Sequence, residues 1–154
     1  MPTIQLKKVT VDNFDKVVAL SKTLTEAQQK CVAPNMVSLA EAYVEPDRAW
    51  PRAIYLDDEP IGFIMLALHE DEVPKEDWPA YYLWRFMIAK AYQGKGYGTK
   101  VLDMIIEKCK RDKQAYLYTS CDMEGDQPYL FYINYAFIDT GKNDGEQILK
   151  LPIK

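Results

Sequence analysis

The run AYYLWRFMIAKAYQGKGYGTKVLDMIIEKCKR, residues 80–111, decides how this chain is read. Its first ten residues, 80–89, are apolar and aromatic and predict a long strand. Gln93-Gly94-Lys95-Gly96-Tyr97-Gly98 follows, and beyond it the spacing predicts a helix over roughly 97–111. Val101, Leu102, Ile105, Ile106 and Cys109 share one side of that helix. Lys100, Asp103, Glu107, Lys110 and Arg111 share the other, the pattern of an amphipathic helix lying on a sheet. Three glycines at alternate positions let the backbone take positive φ and come close to a ligand. The loop amides and the free N–H groups of the helix's first turn then form a donor surface. With the helix dipole behind it, the natural ligand is a phosphate or pyrophosphate.

Three phosphate motifs compete for this loop. The P-loop needs four residues between its first glycine and Gly-Lys-Ser/Thr, a spacing absent here. The dinucleotide fingerprint needs GxGxxG, whereas Gly94, Gly96 and Gly98 give GxGxG with no acidic ribose partner in place. The third pattern, Gln/Arg-x-x-Gly-x-Gly/Ala, is met by Gln93, Gly96 and Gly98. A glycine-rich turn with no ligand is the alternative.

Outward from this centre the chain divides readily. Residues 3–9 predict a first strand, and Asp12 is placed to cap a helix carrying Phe14, Val17, Val18 and Ser21 on one face. A second helical stretch near 25–32 stops at Pro34, and a third follows with Met36, Leu39, Ala40 and Tyr43 as its face. Residues 52–57 and 61–68 predict an antiparallel hairpin across Asp57-Asp58-Glu59-Pro60. After the long fourth strand and its helix come a strand at 115–120, a helix at 127–135 opened by Pro128, and strands near 137–140 and 147–151. The order is read as β-α-α-β-β-β-α-β-α-β-β. A helix joining the fourth strand to the fifth implies a parallel pair in an otherwise antiparallel sheet, so the class is α/β or α+β with a mixed sheet.

The bulk numbers set bounds. The 154 residues fit one domain, taken as 1–154, with no repeat, linker or low-complexity tract. A formal charge of −4 argues against nucleic acid as partner, and no apolar run approaches the roughly 18 residues that span a bilayer. The opening residues lack a signal-peptide pattern, so the cytoplasm is the expected compartment. Cys31, Cys109 and Cys121 form no CxxC pair and read as reduced thiols. With His69 as the one histidine, no metal site is expected.

The strand, glycine loop and helix resemble the GNAT family of N-acetyltransferases, and the element order is similar to that family's along almost the whole chain. A second segment agrees: Leu130-Phe131-Tyr132-Ile133-Asn134-Tyr135-Ala136-Phe137 resembles the family's last helix and its closing Gly-Phe. Trp84-Arg85-Phe86-Met87-Ile88 with Tyr92-Gln93-Gly94-Lys95-Gly96 looks like the diamine and polyamine branch. So does Val32-Ala33-Pro34-Asn35 with Ser38, Ala40, Glu41, Ala42 and Tyr43.

The resemblance implies that acetyl-CoA lies in a gap where the fourth and fifth strands splay. Its pantetheine arm would pair with backbone of Met87 and Ile88. Gln93, Gly94, Lys95, Gly96, Tyr97, Gly98 and Thr99 would hold the pyrophosphate, mostly by amides. It further implies direct attack by a primary amine through a tetrahedral intermediate, with a strand amide near Met87 serving the oxyanion. Tyr132 matches the general acid, and a homodimer is expected. Some polyamine acetyltransferases carry a basic glutamate where Trp84 stands, and many members have Asn and Gly where Gly125 and Ala136 stand. Those replacements leave the base unnamed and one cofactor contact open.

For the acceptor, three features offer themselves. The loop Glu70–Asp77 holds five carboxylates, which read as a cation-attracting rim or as an exposed solvated loop. Glu41 and Glu45 form a second candidate cation site, and Tyr81, Trp84 and Trp50 a candidate alkylamine channel or ordinary core. A small di- or polyamine such as spermidine or spermine leads as substrate. A protein or peptide amine, or a non-catalytic CoA-binding module, are the alternatives.

Overall fold

A bulge in the fourth strand organises the molecule. The computed structural model describes residues 2–122 and 128–154. In chain order these form β1 (Ile4–Lys7), α1 (Phe14–Ala19), α2 (Glu26–Cys31), α3 (Asn35–Val44), β2 (Ala49–Leu56), β3 (Glu59–Ala67), β4 (Ala80–Ile88), α4 (Tyr97–Arg111), β5 (Tyr116–Cys121), α5 (Pro128–Tyr135), β6 (Ile138–Asn143) and β7 (Gln147–Pro152). The seven strands make one sheet in the order β1-β2-β3-β4-β5-β7-β6. Only the β4–β5 pair is parallel, which the crossover helix α4 requires. The mixed α/β sheet expected from the sequence is therefore present. Three short helices occupy the span between β1 and β2 that the family order counts as two. No helix among the described residues is long and apolar enough to cross a membrane.

In the β3–β4 ladder Met65 faces Arg85 and Leu66 faces Leu83, so Trp84 is an extra residue. Before the bulge Tyr81 and Leu83 point to the side covered by α4 and α5, where they join Val101, Leu102, Ile105 and Cys109. At the bulge Trp84 and Arg85 come to lie together on the opposite side. There α1 to α3 pack over Ala53, Phe63, Met65 and Met87. Beyond it Phe86 and Ile88 return to the α4 side. The parallel pairing of β4 with β5 runs from Ala80↔Tyr116 to Leu83↔Thr119 and ends there, at the bulge. Residues 84–88 keep β3 on one side and open on the other, while Ser120 and Cys121 continue alongside β7. The expected splay is thus visible in the register.

Several expectations shift in the detail. Asp12 does not cap α1. Asn13 holds the N-cap position, and its side chain turns back to accept from the Thr10 amide at 2.8 Å. The capping box that does form opens α2, where Thr25 and Gln28 exchange side-chain and backbone bonds. The face of α3 is also different: Met36 and Tyr43 are 57% and 85% exposed, and Asn35 and Ser38 point inward. Asn35 donates through Nδ2 to the Val17 carbonyl at 2.8 Å, and its amide donates to Ser21 Oγ at 2.8 Å. Those buried bonds, which apolar periodicity does not weigh, fix the roll of the helix. Pro51 lies inside β2, but β1 pairs only with residues 53–56, so no partner needs its missing N–H.

Candidate active site

The unpaired length of β4, the glycine loop, the first turn of α4 and Tyr132 of α5 line one cleft of about 990 Å³. Alternation along β4 decides which backbone groups face it. Ala89 N–H donates to the Ile61 carbonyl at 2.7 Å, so Met87, two residues back, turns its N–H and C=O to Phe63 of β3. The groups facing the cleft are those of Phe86 and Ile88. Gly62 makes the close approach of β3 possible, since a Cβ there would stand 2.4 Å from the Met87 oxygen. Ile88 therefore turns its backbone groups to the cleft. The amide turned to the cleft belongs to Phe86 or Ile88 and not to Met87.

Each loop residue proves to have its own task. Gln93 spends its side chain as a brace, with Nε2 donating to the Ile88 carbonyl at 2.8 Å and Oε1 accepting from Gln28 of α2 at 2.9 Å. Gly94 and Gly96 have φ of +74° and +84°, and a Cβ on either would meet nothing within 4 Å. Backbone conformation, not crowding, demands glycine there, and the space above the loop is open. Gly98 differs: a Cβ would come within 3.2 Å of the Phe131 ring, so it serves the packing of α4 on α5. Lys95 is exposed, Tyr97 packs against the core, and Thr99 lines the cleft. Among the described residues no backbone acceptor engages the amides of 94–99, as expected of a loop and a first helical turn.

Tyr132 is 6% exposed, with its ring 5.4 Å from Phe131 and 5.2 Å from Phe137. Burial pushes its phenol well above the ordinary range, and the charge of Glu146 adds to this, while a hydrogen bond with Thr119 opposes it. Thr119 sits at the vertex of the splay and gives its own proton to the Leu83 carbonyl at 3.1 Å. With its pKa raised, Tyr132 is a protonated donor throughout the neutral range. Tyr129 and Tyr135 are held elsewhere, by Asp139 at 2.8 Å and Asp103 at 2.6 Å.

A comparison with known protein families now bears on this geometry. Residues 18–132, three quarters of the chain, match the model of the acetyltransferase (GNAT) family. This chain belongs to that family. It is 28% identical over 155 residues to a probable spermine N(1)-acetyltransferase of Bacillus subtilis subsp. natto, covering 96% of this chain and 97% of the relative. A spermine/spermidine N(1)-acetyltransferase of Bacillus subtilis strain 168 is similar at the same identity and coverage. The crystal structure of a PaiA N-acetyltransferase from Thermoplasma acidophilum, in complex with coenzyme A, shares the fold. Its TM-score is 0.69 at 14% identity, over 97% of this chain and 99% of that one.

Within this GNAT acetyltransferase the other side of the cleft is built from paired charges. Arg48 and Arg85 stack on Trp84, with guanidinium carbons 4.3 and 5.5 Å from the ring centre. Arg85 pairs with Glu41 at 2.9 Å, and Arg48 with Glu45 at 3.2 Å and with Glu70. Glu41 and Glu45 are thus occupied by the protein's own arginines. Of the three aromatics considered for a channel, only Trp84 lines the cleft. Trp50 is stacked by Arg52 and Lys108, and Tyr81 donates to Asp112 at 2.6 Å. Of the acidic loop's five carboxylates, Asp71, Glu72 and Glu76 are exposed and do not line the cleft. Glu70 reaches the cleft, whereas Asp77 is buried, accepting from Tyr118 and pairing with Lys150 at 3.1 Å.

Cys121 lines the cleft, but burial pushes its thiol up to about 11, so it is protonated and a poor nucleophile at neutral pH. Cys109 is in the core, pushed up to about 12 by burial. Ala136, where the family has glycine, adopts φ +122° just past α5, with its amide donating to the Tyr132 and Ile133 carbonyls. It is a strained helix stop. Gly125 lies outside the described residues. Arg48, Arg85, Thr119, Ser120 and Glu146 were not singled out by the sequence. Strand register brings each to the cleft, and apart from Arg85, which lies in the Trp84–Ile88 segment without a role of its own there, no local motif marks them.

Proposed function

We propose that this chain transfers the acetyl group of acetyl-CoA to a primary amine, a small diamine or polyamine such as spermidine or spermine, by direct attack. The observation that carries this reading is the convergence of an open β4 edge, an amide-lined glycine loop and a protonated Tyr132 on one cleft. The similarity to spermine and spermidine N(1)-acetyltransferases along nearly the whole chain supports the acceptor class.

The residues present suit acetyl-CoA. The open space over Gly94 and Gly96 and the amides of 94–99 suit its pyrophosphate. The cleft-facing groups of Phe86 and the Ile88 amide suit its amide-bearing arm, while the Ile88 carbonyl is held by Gln93. When bound, acetyl-CoA supplies an acyl group activated as a thioester. Tyr132 holds at Oη the proton that a departing thiolate needs. Its elevated pKa makes full transfer costly, so much of its effect is a strong hydrogen bond. The protonated state of Cys121 favours direct attack over an acyl-cysteine relay. The amine itself must be neutral to attack. With a pKa of ~10.4 only about a thousandth is neutral at pH 7.4, a deficit of roughly 4 kcal/mol.

The test is thiol release from acetyl-CoA against di- and polyamines, amino acids and short peptides between pH 7 and 9. Release with spermidine, spermine or a diamine, rising with pH, is the expected result. Silence with every small amine and a signal with peptides refutes the polyamine reading.

A further inference from the structure

The cleft has two kinds of carboxylate. Glu70 is ion-paired with Arg48, which it shares with Glu45, and Glu41 is paired with Arg85 just behind the wall. Glu146 is different. It stands immediately before β7, just after the Asp144-Gly145 turn of the hairpin, where Gly145 takes φ +79° and the Asp144 amide donates to the Glu146 carbonyl at 3.0 Å. The next two residues pair with Cys121 and Ser120, which brings the Glu146 side chain over the end of β5. There Ser120 Oγ donates to Glu146 Oε2 at 2.8 Å, and among the described residues Oε1 takes no partner and no cation pairs with the carboxylate.

Glu146 lines the same cleft as Tyr132, Cys121 and Tyr82, and its charge is felt at all three, raising each pKa. The arginines of the cleft, Arg48 and Arg85, are committed to their own carboxylates, and Lys30 belongs to α2, the helix tied to the glycine loop through Gln28 and Gln93. The acceptor end of the cleft thus keeps a negative charge that the protein does not cancel. A carboxylate bonded to the reacting nitrogen would hold its proton on and slow attack. Its productive partner is a second ammonium of the same molecule.

We propose that Glu146 is a specificity-determining residue that receives a non-reacting ammonium group of a di- or polyamine acceptor, with Ser120 fixing the carboxylate that receives it. The inference rests on the amine-acetyltransferase reading above and selects within it. Acceptors with two or more cationic centres gain a charge-assisted hydrogen bond that a monoamine lacks.

The experiment is steady-state acetylation of spermidine and of butylamine by the wild-type protein, Glu146→Gln and Ser120→Ala. In Glu146→Gln, KM for spermidine should rise about tenfold, the scale of one lost charged hydrogen bond. Its kcat, its KM for acetyl-CoA and its KM for butylamine should each stay within about twofold. Ser120→Ala should move KM for spermidine the same way by about threefold, as expected when a neutral support is lost. An unchanged spermidine KM in an active Glu146→Gln protein, or an equal rise for butylamine, overturns the assignment and leaves the amine reading standing. A wild-type protein that turns over no amine overturns both.

Discussion

The two sides of the cleft are made of different material. The side formed by Phe86, Ile88 and residues 93–99 offers backbone: strand amides, loop amides and the first turn of a helix. The side formed by Arg48, Trp84, Arg85, Ser120 and Glu146 offers side chains drawn from β2, β4, β5 and β7 and the segments beside them. A backbone surface tolerates change in side chains but not in conformation. A side-chain surface tolerates the reverse, so it can be rebuilt for a new acceptor while the cofactor half stands. That division suits a family sharing one cofactor chemistry across many substrates.

Perturbing the two sides should separate them. The largest effect is expected where they meet: Tyr132→Phe should lower kcat about tenfold or more with KM for acetyl-CoA unchanged, measured by thiol release. Changing pH from 7 to 9 should raise the rate at subsaturating amine about tenfold per unit. The ammonium deprotonates as pH rises, while Tyr132, raised above its ordinary value of ~10, keeps its proton across that window. A plateau well below pH 9 would show that another group limits the reaction.

Smaller effects should assign each half. Gly96→Ala forces a side chain onto φ +84° and should raise KM for acetyl-CoA roughly fivefold, the scale of about 1 kcal/mol of strain, with the amine KM unmoved. Arg85→Met should do the opposite, altering the amine KM a few-fold and leaving acetyl-CoA alone, since Arg85 touches Trp84 and Glu41 and no loop atom. If Arg85→Met shifts the cofactor KM instead, the division fails. Ala136→Gly, which relieves φ +122°, should raise stability by about 1 kcal/mol in a denaturant titration with kinetics untouched.

The same contrast explains how much could be read from the sequence. The order of elements and the span of α4 follow from local pattern, because glycine spacing and apolar periodicity are local properties. The splay of β4 from β5 is instead implied by the family resemblance, and its place after Leu83 comes from the register. The acceptor wall is not local. Ser120 and Glu146 are 26 positions apart and meet through the β5–β7 register, and Arg48 meets Trp84 across two strand pairings. Periodicity also misjudged α3, where buried Asn35 and Ser38 outweigh the apolar Met36 and Tyr43. Gly98 lines the cleft together with the rest of the loop, but its lack of a side chain also answers to Phe131, a residue 33 positions away that no local motif connects to it.

The surplus residue in β4 acts as a change of reading frame between the strand's two halves. Upstream of Trp84, odd positions belong to the α4 layer; downstream, even positions do. Removing Trp84 would restore an unbroken ladder with β3 and leave residues 85–88 on their present faces, opposite their present partners, because β3 carries no matching extra residue. What would go is the ring on which Arg48 and Arg85 stack. The surplus residue thus gives the cleft an aromatic wall for which a regular strand in this register has no place.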